Sequence, residues 1–238
     1  MNWAKADVLK PSTYVSHLEG TNAVVHTMGI LLEADYKGVV SGKESPISGL
    51  RRAFSSTKKG SARNPLERGE PGSGDDSIGM GEHDGQITYE LMNRDSALSL
   101  ATEAHARDVS TFAYISAAAG APILPARYIT TKREAESMIS SNFPSMRNLF
   151  FRPGFLYDSS RGFTIPIMAA GMVGNTVNEW LFRGALTNVF GASVEKPLKA
   201  DLVAEAVVEG IAEEDVRGVQ QIRQIEALAA KAWRRGML

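Results

Sequence analysis

The 238-residue chain has no cysteine, which excludes disulfides, thiol nucleophiles and thiolate metal sites. It has only four histidines, His17, His26, His83 and His105, never at metal-ligand spacing, so no metal site is expected. An excess of one charge is missing too. Twenty-six Lys and Arg face 27 Asp and Glu, a net of −1, which gives no reason to expect a nucleic-acid partner. No stretch reaches the roughly 20 apolar residues of a membrane-spanning helix. The nearest lies within 163–182, where Thr164 to Asn178 carries no charge and Trp180, Leu181 and Phe182 follow. It reads as a buried or substrate-side helix, with a peripheral membrane contact as the second reading. Met1-Asn2-Trp3 runs almost directly into what reads as a strand end, so no targeting peptide is expected there.

What is present is a core-forming composition. At 43% hydrophobic and 22% charged, the chain suits one soluble α/β domain over 1–238. Trp3 to Leu9 reads as the end of a strand, followed by Lys10-Pro11 and a short helix over Ser12–Leu18. After the Gly20-Thr21-Asn22 turn, Ala23–Met28 is an apolar run typical of a buried parallel strand. Residues 38–86 break the pattern, with ten glycines, eight serines and three prolines in 49 residues. Such a segment buries too little apolar area to offset its conformational entropy, and we read it as a mobile insertion, with a lid role as the alternative.

From Ile87 a helical period returns through Leu91, Ala97, Leu98 and Ala101 and ends near Asp108. Thr111–Ser116 is a second buried strand, Ala117–Arg127 a loop, and Tyr128 to Ser140 a helix with Lys132, Ala135 and Ile139 on the side of Tyr128. Asn148 to Tyr157 reads as a strand whose Pro153 and Gly154 fall at its carboxyl end. Leu202, Val203, Ala206, Val207, Gly210 and Ile211 form a packed helix face, and Val219 to Ala230 a last strand and helix. Alternating strands and helices imply a parallel, doubly wound sheet.

Chemistry concentrates in Tyr114-Ile-Ser116 and Tyr128-Ile-Thr-Thr-Lys132. A tyrosine is a poor acid–base group near neutrality unless its pKa falls from about 10. A lysine at i+4 shares its helix face and supplies the positive charge that lowers it. A serine hydroxyl nearby then holds a substrate oxygen. Y-x-x-x-K alone is weak, since a core tyrosine and a surface lysine give the same spacing.

In this context the chain resembles an atypical short-chain dehydrogenase/reductase of the NAD(P)-binding Rossmann superfamily. More closely it is similar to the fungal mitochondrial subunit of this type in the coenzyme Q biosynthesis complex. The likeness rests on Ala6–Pro11, Asn22–Glu33, Thr88–Asn93, Tyr114–Ala117, Tyr128–Glu136 and Arg152–Phe155. It covers most of the chain outside 38–86 and fades after about Ser160. A more distant likeness is to the Rossmann-type accessory subunit of NADH:ubiquinone oxidoreductase.

The resemblance implies NAD or NADP as cofactor and Ser116, Tyr128 and Lys132 as the catalytic trio. It places Asp7 at the adenine, and Thr27, Met28 and Gly29 at the cofactor ribose. Asn93 supports the lysine, and Pro153, Gly154 and Phe155 meet the nicotinamide. Asp7 also has a plain reading as a turn cap, and Pro153-Gly154 as a strand terminator. The partners implied are other subunits of a coenzyme Q complex, on the matrix side of the mitochondrial inner membrane. The family's opening G-x-x-G-x-x-G turn, which holds the pyrophosphate, is not found. We therefore expect an N-terminally truncated Rossmann-type domain with its first two strands absent. Either the reading frame starts at a downstream methionine or the phosphate cradle has been lost. An oxidoreductase in its full-length form, a non-catalytic assembly subunit and an inactive fragment stay open, because fold likeness alone does not decide among them.

Overall fold

The structure, a computed structural model, describes residues 1–30, 88–119, 126–158 and 196–237. The expectations for 38–86 and 163–182 lie outside the described residues. The chain divides into two compact units, Met1–Phe112 with Ile123–Met146, and Ala113–Pro122 with Arg147–Leu238.

The first unit opens with a correction. Trp3 to Leu9 forms no strand, and Trp3 is 88% exposed. Local bonds claim this backbone instead. The Leu9 N–H donates to Asp7 Oδ1 at 3.0 Å, the Lys10 N–H to the Asp7 carbonyl at 2.9 Å, and the Asp7 N–H to Thr13 Oγ1 at 2.9 Å. An aspartate that bonds backbone two residues on competes with strand pairing wherever no neighbouring strand is supplied. Asp7 thus serves as a turn residue, whatever else it contacts. The helix expected over Ser12–Leu18 is two 3-10 turns, Pro11–Thr13 and Val15–His17, the first begun by a buried proline at its first position.

Strand β1, Ala23–His26, buries Val24 and His26 and turns Val25 outward at 39% exposure, the alternation of a strand with one face covered. The Thr111 N–H donates to the Asn22 carbonyl at 3.1 Å, joining β1 to the start of β2, Thr111–Ile115. A π-helical segment, Glu90–Asp95, runs straight into α1, Ser96–His105. Ala97, Leu98, Ala101 and Ala104 recur at helical spacing and are fully buried. The helix stops at Asp108, whose φ of 57° is left-handed. The Val109 N–H reaches the Ala104 carbonyl at 3.1 Å and the Asp108 N–H that of His105 at 3.1 Å, a Schellman end with aspartate where glycine is usual. Helix α2, Ala126–Asn142, buries Thr131, Lys132, Ala135, Glu136 and Ile139 along one stripe.

In the second unit, the rest of β2 lies beside β3, Arg147–Phe151, and β3 beside β6, Gly218–Gln220. The β3–β6 pairing is parallel, with Leu149 opposite Gly218 and Phe151 opposite Gln220. The single strand expected over Asn148–Tyr157 is split. It ends at Phe151, and β4, Leu156–Tyr157, starts a separate parallel pair with β5, Leu198–Lys199. Pro153 has no N–H to continue a ladder, so it breaks the run.

Helix α3, Ala200–Ala212, presents Val203, Ala206, Val207 and Gly210 on one face, and α4, Ile222–Arg235, presents Ile225, Leu228 and Ala229. These pack with Leu149, Phe151 and Leu198 into an apolar core. A Cβ at Gly210 would lie 3.0 Å from Phe151 Cζ, so glycine lets α3 close on β3. Arg147 finishes α3, donating to the carbonyls of Gly210 at 3.2 Å, Ile211 at 2.6 Å and Glu213 at 2.5 Å. Parallel strands with covering helices put the fold in the α/β Rossmann class read from the sequence.

Candidate functional site

The expected site residues divide between the units. Asp7, Thr27, Met28, Gly29, Asn93, Tyr128 and Lys132 belong to the first, and Ser116, Pro153, Gly154 and Phe155 to the second.

In the first unit the residues after β1 meet Asn93 and Lys132. Thr27, Met28 and Gly29 are exposed, with Met28 at 42%. Asn93, fully buried, accepts the Ile30 N–H at 2.9 Å through Oδ1 and donates through Nδ2 to the Ile30 carbonyl at 3.4 Å. Both bonds go to Ile30, one to its N–H and one to its carbonyl, so the amide fixes this loop as a backbone partner would. A Cβ built on Gly29 would sit 2.9 Å from Asn93 Oδ1 and 3.3 Å from Lys132 Nζ. Glycine is what allows the backbone, the amide and the ammonium to come together. Asn93 sits in the π-helical segment, and such wide turns are frequent at functional sites.

Burial pushes the Lys132 ammonium down to about 8, with Glu136 opposing and Arg133 adding to the fall. Its Nζ is 5.8 Å from the centre of the Tyr128 ring. Tyr128 does not behave as the spacing predicts. Burial raises its phenol above the usual value, and only Arg133 pulls the other way. The i+4 spacing supplies a neighbouring charge, but desolvation of the hydroxyl is the larger effect. In this state Tyr128 keeps its proton at neutral pH and is a donor.

The sequence reading missed His26 and Ser96. His26 Nε2 and Ser96 Oγ are 3.0 Å apart, and Ser96 Oγ lies 2.8 Å from the Met92 carbonyl. The one hydroxyl proton of Ser96 goes to that carbonyl, so His26 must donate from Nε2. Burial, then the Lys132 charge, lowers His26 to about 3, and it is neutral at any physiological pH. Alternation along Ala23–His26 was the available signal, since it puts His26 on the buried face with Val24.

In the second unit Ser116 is buried just past β2. Its N–H donates to the Phe151 carbonyl at 2.7 Å, and the Ala118 N–H to the Pro153 carbonyl at 2.7 Å. The Leu198 N–H reaches the Phe155 carbonyl at 2.9 Å. Backbone bonds on both sides therefore hold the Pro153–Phe155 loop. Ser116 and this loop are neighbours at the carboxyl ends of β2 and β3, where ligands of open α/β sheets bind.

No protein-family model matches the chain. It is 30% identical over 241 residues to MIOREX complex component 2 of Saccharomyces cerevisiae, spanning 94% of this chain and 80% of that protein. Among solved structures, RMD from Pseudomonas aeruginosa complexed with NADPH aligns with a TM-score of 0.50 at 17% identity, over 96% of this chain and 71% of that one. UDP-N-acetylglucosamine 4-epimerase from Bacillus cereus aligns with a TM-score of 0.46 at 15% identity, over 93% and 68%. At 17% identity the likeness to RMD is one of fold.

Proposed function

Because the chain belongs to the family of MIOREX complex component 2 of Saccharomyces cerevisiae, we propose that it is an NAD(P)-binding, short-chain-dehydrogenase-like subunit of a multi-protein assembly and an oxidoreductase. The sequence resemblance extends this reading to mitochondrial ubiquinone biosynthesis on the matrix side of the inner membrane. The observation that carries it is the approach of Lys132 Nζ and the Asn93 amide to the bare backbone of Gly29.

A buried ammonium beside open backbone suits ribose hydroxyls, which both accept and donate hydrogen bonds. The first unit therefore fits the nicotinamide-ribose end of a dinucleotide. Among the described residues no glycine-rich turn joins a strand to a helix, so none of them offers the pyrophosphate cradle of the fold. When bound, the dinucleotide supplies hydride transfer.

The chain's own residues have distinct tasks. Lys132 and the Thr27–Gly29 backbone bind the ribose, with Asn93 fixing the loop. By the sequence resemblance, Pro153, Gly154 and Phe155 would meet a nicotinamide, and Ser116 would orient a substrate oxygen. Tyr128 would give its proton to a substrate oxygen as negative charge develops on it. A phenol held above its usual pKa is protonated at neutral pH and so starts as a donor.

The test is fluorescence titration of the protein with NADPH and NADH. Binding of either, weakened about tenfold or more by Lys132→Met, is the expected result. Wild-type protein that binds neither overturns the reading.

The relative's role as a component of a complex favours a second reading, a non-catalytic assembly subunit. Cells lacking the protein separate the two. If Tyr128→Phe restores ubiquinone content as fully as wild type, the assembly reading stands and the catalytic one falls.

A further inference from the structure

Tyr128 is the third residue of α2, in the turn whose N–H groups have no partner within the helix. A side chain there inherits the looseness of a helix end unless something outside the helix holds it. Two consecutive residues just ahead of and within the π-helical segment do this. The Tyr89 ring, 1% exposed, meets the Tyr128 ring edge to face, with centroids 6.0 Å apart and planes at 70°. The Arg127 guanidinium lies over the same Tyr89 ring, 5.8 Å from its centroid. Glu90, also buried, takes Arg127 in a two-pronged ion pair, accepting Nε at 2.9 Å through Oε1 and Nη2 through Oε2.

The four residues interlock crosswise. Tyr89 touches both members of the Arg127–Tyr128 pair, and Glu90 anchors the cation that covers Tyr89. Edge-to-face rings and a cation over a ring each have a preferred orientation, so the arrangement fixes angle as well as distance. A bidentate carboxylate–guanidinium pair adds direction that a single contact lacks.

We infer that Tyr89, braced by the Glu90–Arg127 pair, is a positioning residue that sets the orientation and solvent shielding of the Tyr128 hydroxyl. Its consequence for turnover rests on the proposed role of Tyr128. The clamp itself does not. The charged groups on the phenol's own helix are Lys132 and Arg133, and the facing segment brings the Tyr89 phenol, itself titratable near about 10. Tyr89→Phe removes that phenol and keeps the ring, so a titration that changes in Tyr89→Leu and not in Tyr89→Phe reports lost shielding.

The experiment is NMR titration of full-length protein carrying 13Cζ-labelled tyrosine, with the Tyr128 signal assigned by its loss in Tyr128→Phe. In wild type the signal should titrate above the ordinary value. In Tyr89→Leu it should fall back toward about 10, as water reaches the hydroxyl. Tyr89→Phe, which keeps the ring, should titrate as wild type, and Glu90→Gln should fall between. Where turnover is measurable, Tyr89→Leu should lower kcat about tenfold or more and leave dinucleotide affinity within about twofold, because Gly29, Asn93 and Lys132 are untouched.

An unchanged Tyr128 titration in folded Tyr89→Leu overturns the inference. If that variant does not fold, a Glu90→Gln titration identical to wild type does so. Protein that neither binds dinucleotide nor turns over sinks the functional reading alone, since the titration still decides the clamp.

Discussion

The two units bury different chemistry. Among the described residues, thirteen of sixteen buried polar or charged side chains lie in the first unit, and only Ser116, Glu209 and Gln220 in the second. The second unit is an apolar core of Leu149, Phe151, Leu198, Val203, Ile225 and Leu228. The first packs Glu90, Asn93, Arg94, Asp95, Lys132 and Glu136 into its helices and ties them with pairs such as Arg94 to Asp95 at 2.7 Å and Arg94 to Glu134 at 2.9 Å. Burying polar groups costs free energy unless every one is bonded, and at best such pairs break even against apolar packing. An apolar core therefore carries stability, and a polar interior carries defined positions for reactive groups. The residues proposed to hold the ribose and move the proton all lie in the polar unit.

This contrast is most directly broken by Phe151→Ala. Phe151 is fully buried and its ring touches the Gly210 position, so truncation leaves a cavity that α3 cannot readily close. A loss of about 3–5 kcal/mol is expected in denaturant unfolding. A loss under about 1 kcal/mol would mean that the second unit is not held by its apolar core.

Arg147 comes next. Its guanidinium serves the carbonyls of Gly210, Ile211 and Glu213 at the end of α3, the last of which also accepts the Val216 N–H at 3.2 Å. Arg147→Met should cost about 2–3 kcal/mol, since three hydrogen bonds to a charged group are lost from the helix end. Arg147→Lys, lacking the planar fork, should recover only part of this. Full recovery would show that charge near the helix end matters and the fork does not.

The pH dependence of stability probes the polar unit. Lys132 titrates near 8 when folded and near about 10.4 when unfolded, so the unfolded chain binds more protons between these values. Its charged form is a net cost below pH 8, and its contribution to stability rises from there to about pH 10.5. His26, near 3 folded and about 6.5 unfolded, favours the folded state above pH 6.5 and loses that contribution as pH falls toward 3. In melting temperature against pH, Lys132→Met should remove the alkaline rise and His26→Gln the acid decline. Curves that keep both features in the variants would place the responsible groups elsewhere.

Much of this was legible in the sequence because the second unit obeys simple periods. Val203, Ala206, Val207 and Gly210 repeat at helical spacing, and Leu149 to Phe151 is a continuous apolar run, so α3 and the start of β3 were found near their true positions, though the expected strand ran on to Tyr157 past its end at Phe151. Three features were not. Trp3 to Leu9 read as the end of a strand, but pairing depends on a neighbour and the Asp7 turn bonds supply an alternative. The wide turn at Glu90–Asp95 changes hydrogen bonding without changing the apolar pattern. The Tyr128–Lys132 spacing gives a shared helix face, but the sign of the phenol shift depends on how deeply the hydroxyl is buried, which spacing does not encode.

The smallest expected change in stability comes with the sharpest local effect. Gly29 has exposed backbone and no unusual φ, so alanine there adds no backbone strain and little burial. Its methyl would nevertheless lie 2.9 Å from Asn93 Oδ1, closer than such contacts occur, and 3.3 Å from Lys132 Nζ. Lysine is the flexible member and can retreat, whereas Asn93 is held at both ends by Ile30. Gly29→Ala should therefore move the loop or break the Asn93–Ile30 bonds, at a stability cost of about 1 kcal/mol or less. Dinucleotide affinity should fall about tenfold or more, because the backbone, amide and ammonium no longer meet. Asn93→Ala in the same background separates the causes. If the collision with Asn93 is responsible, the double variant binds no worse than Asn93→Ala alone. If it binds tenfold worse still, the methyl obstructs the ligand directly.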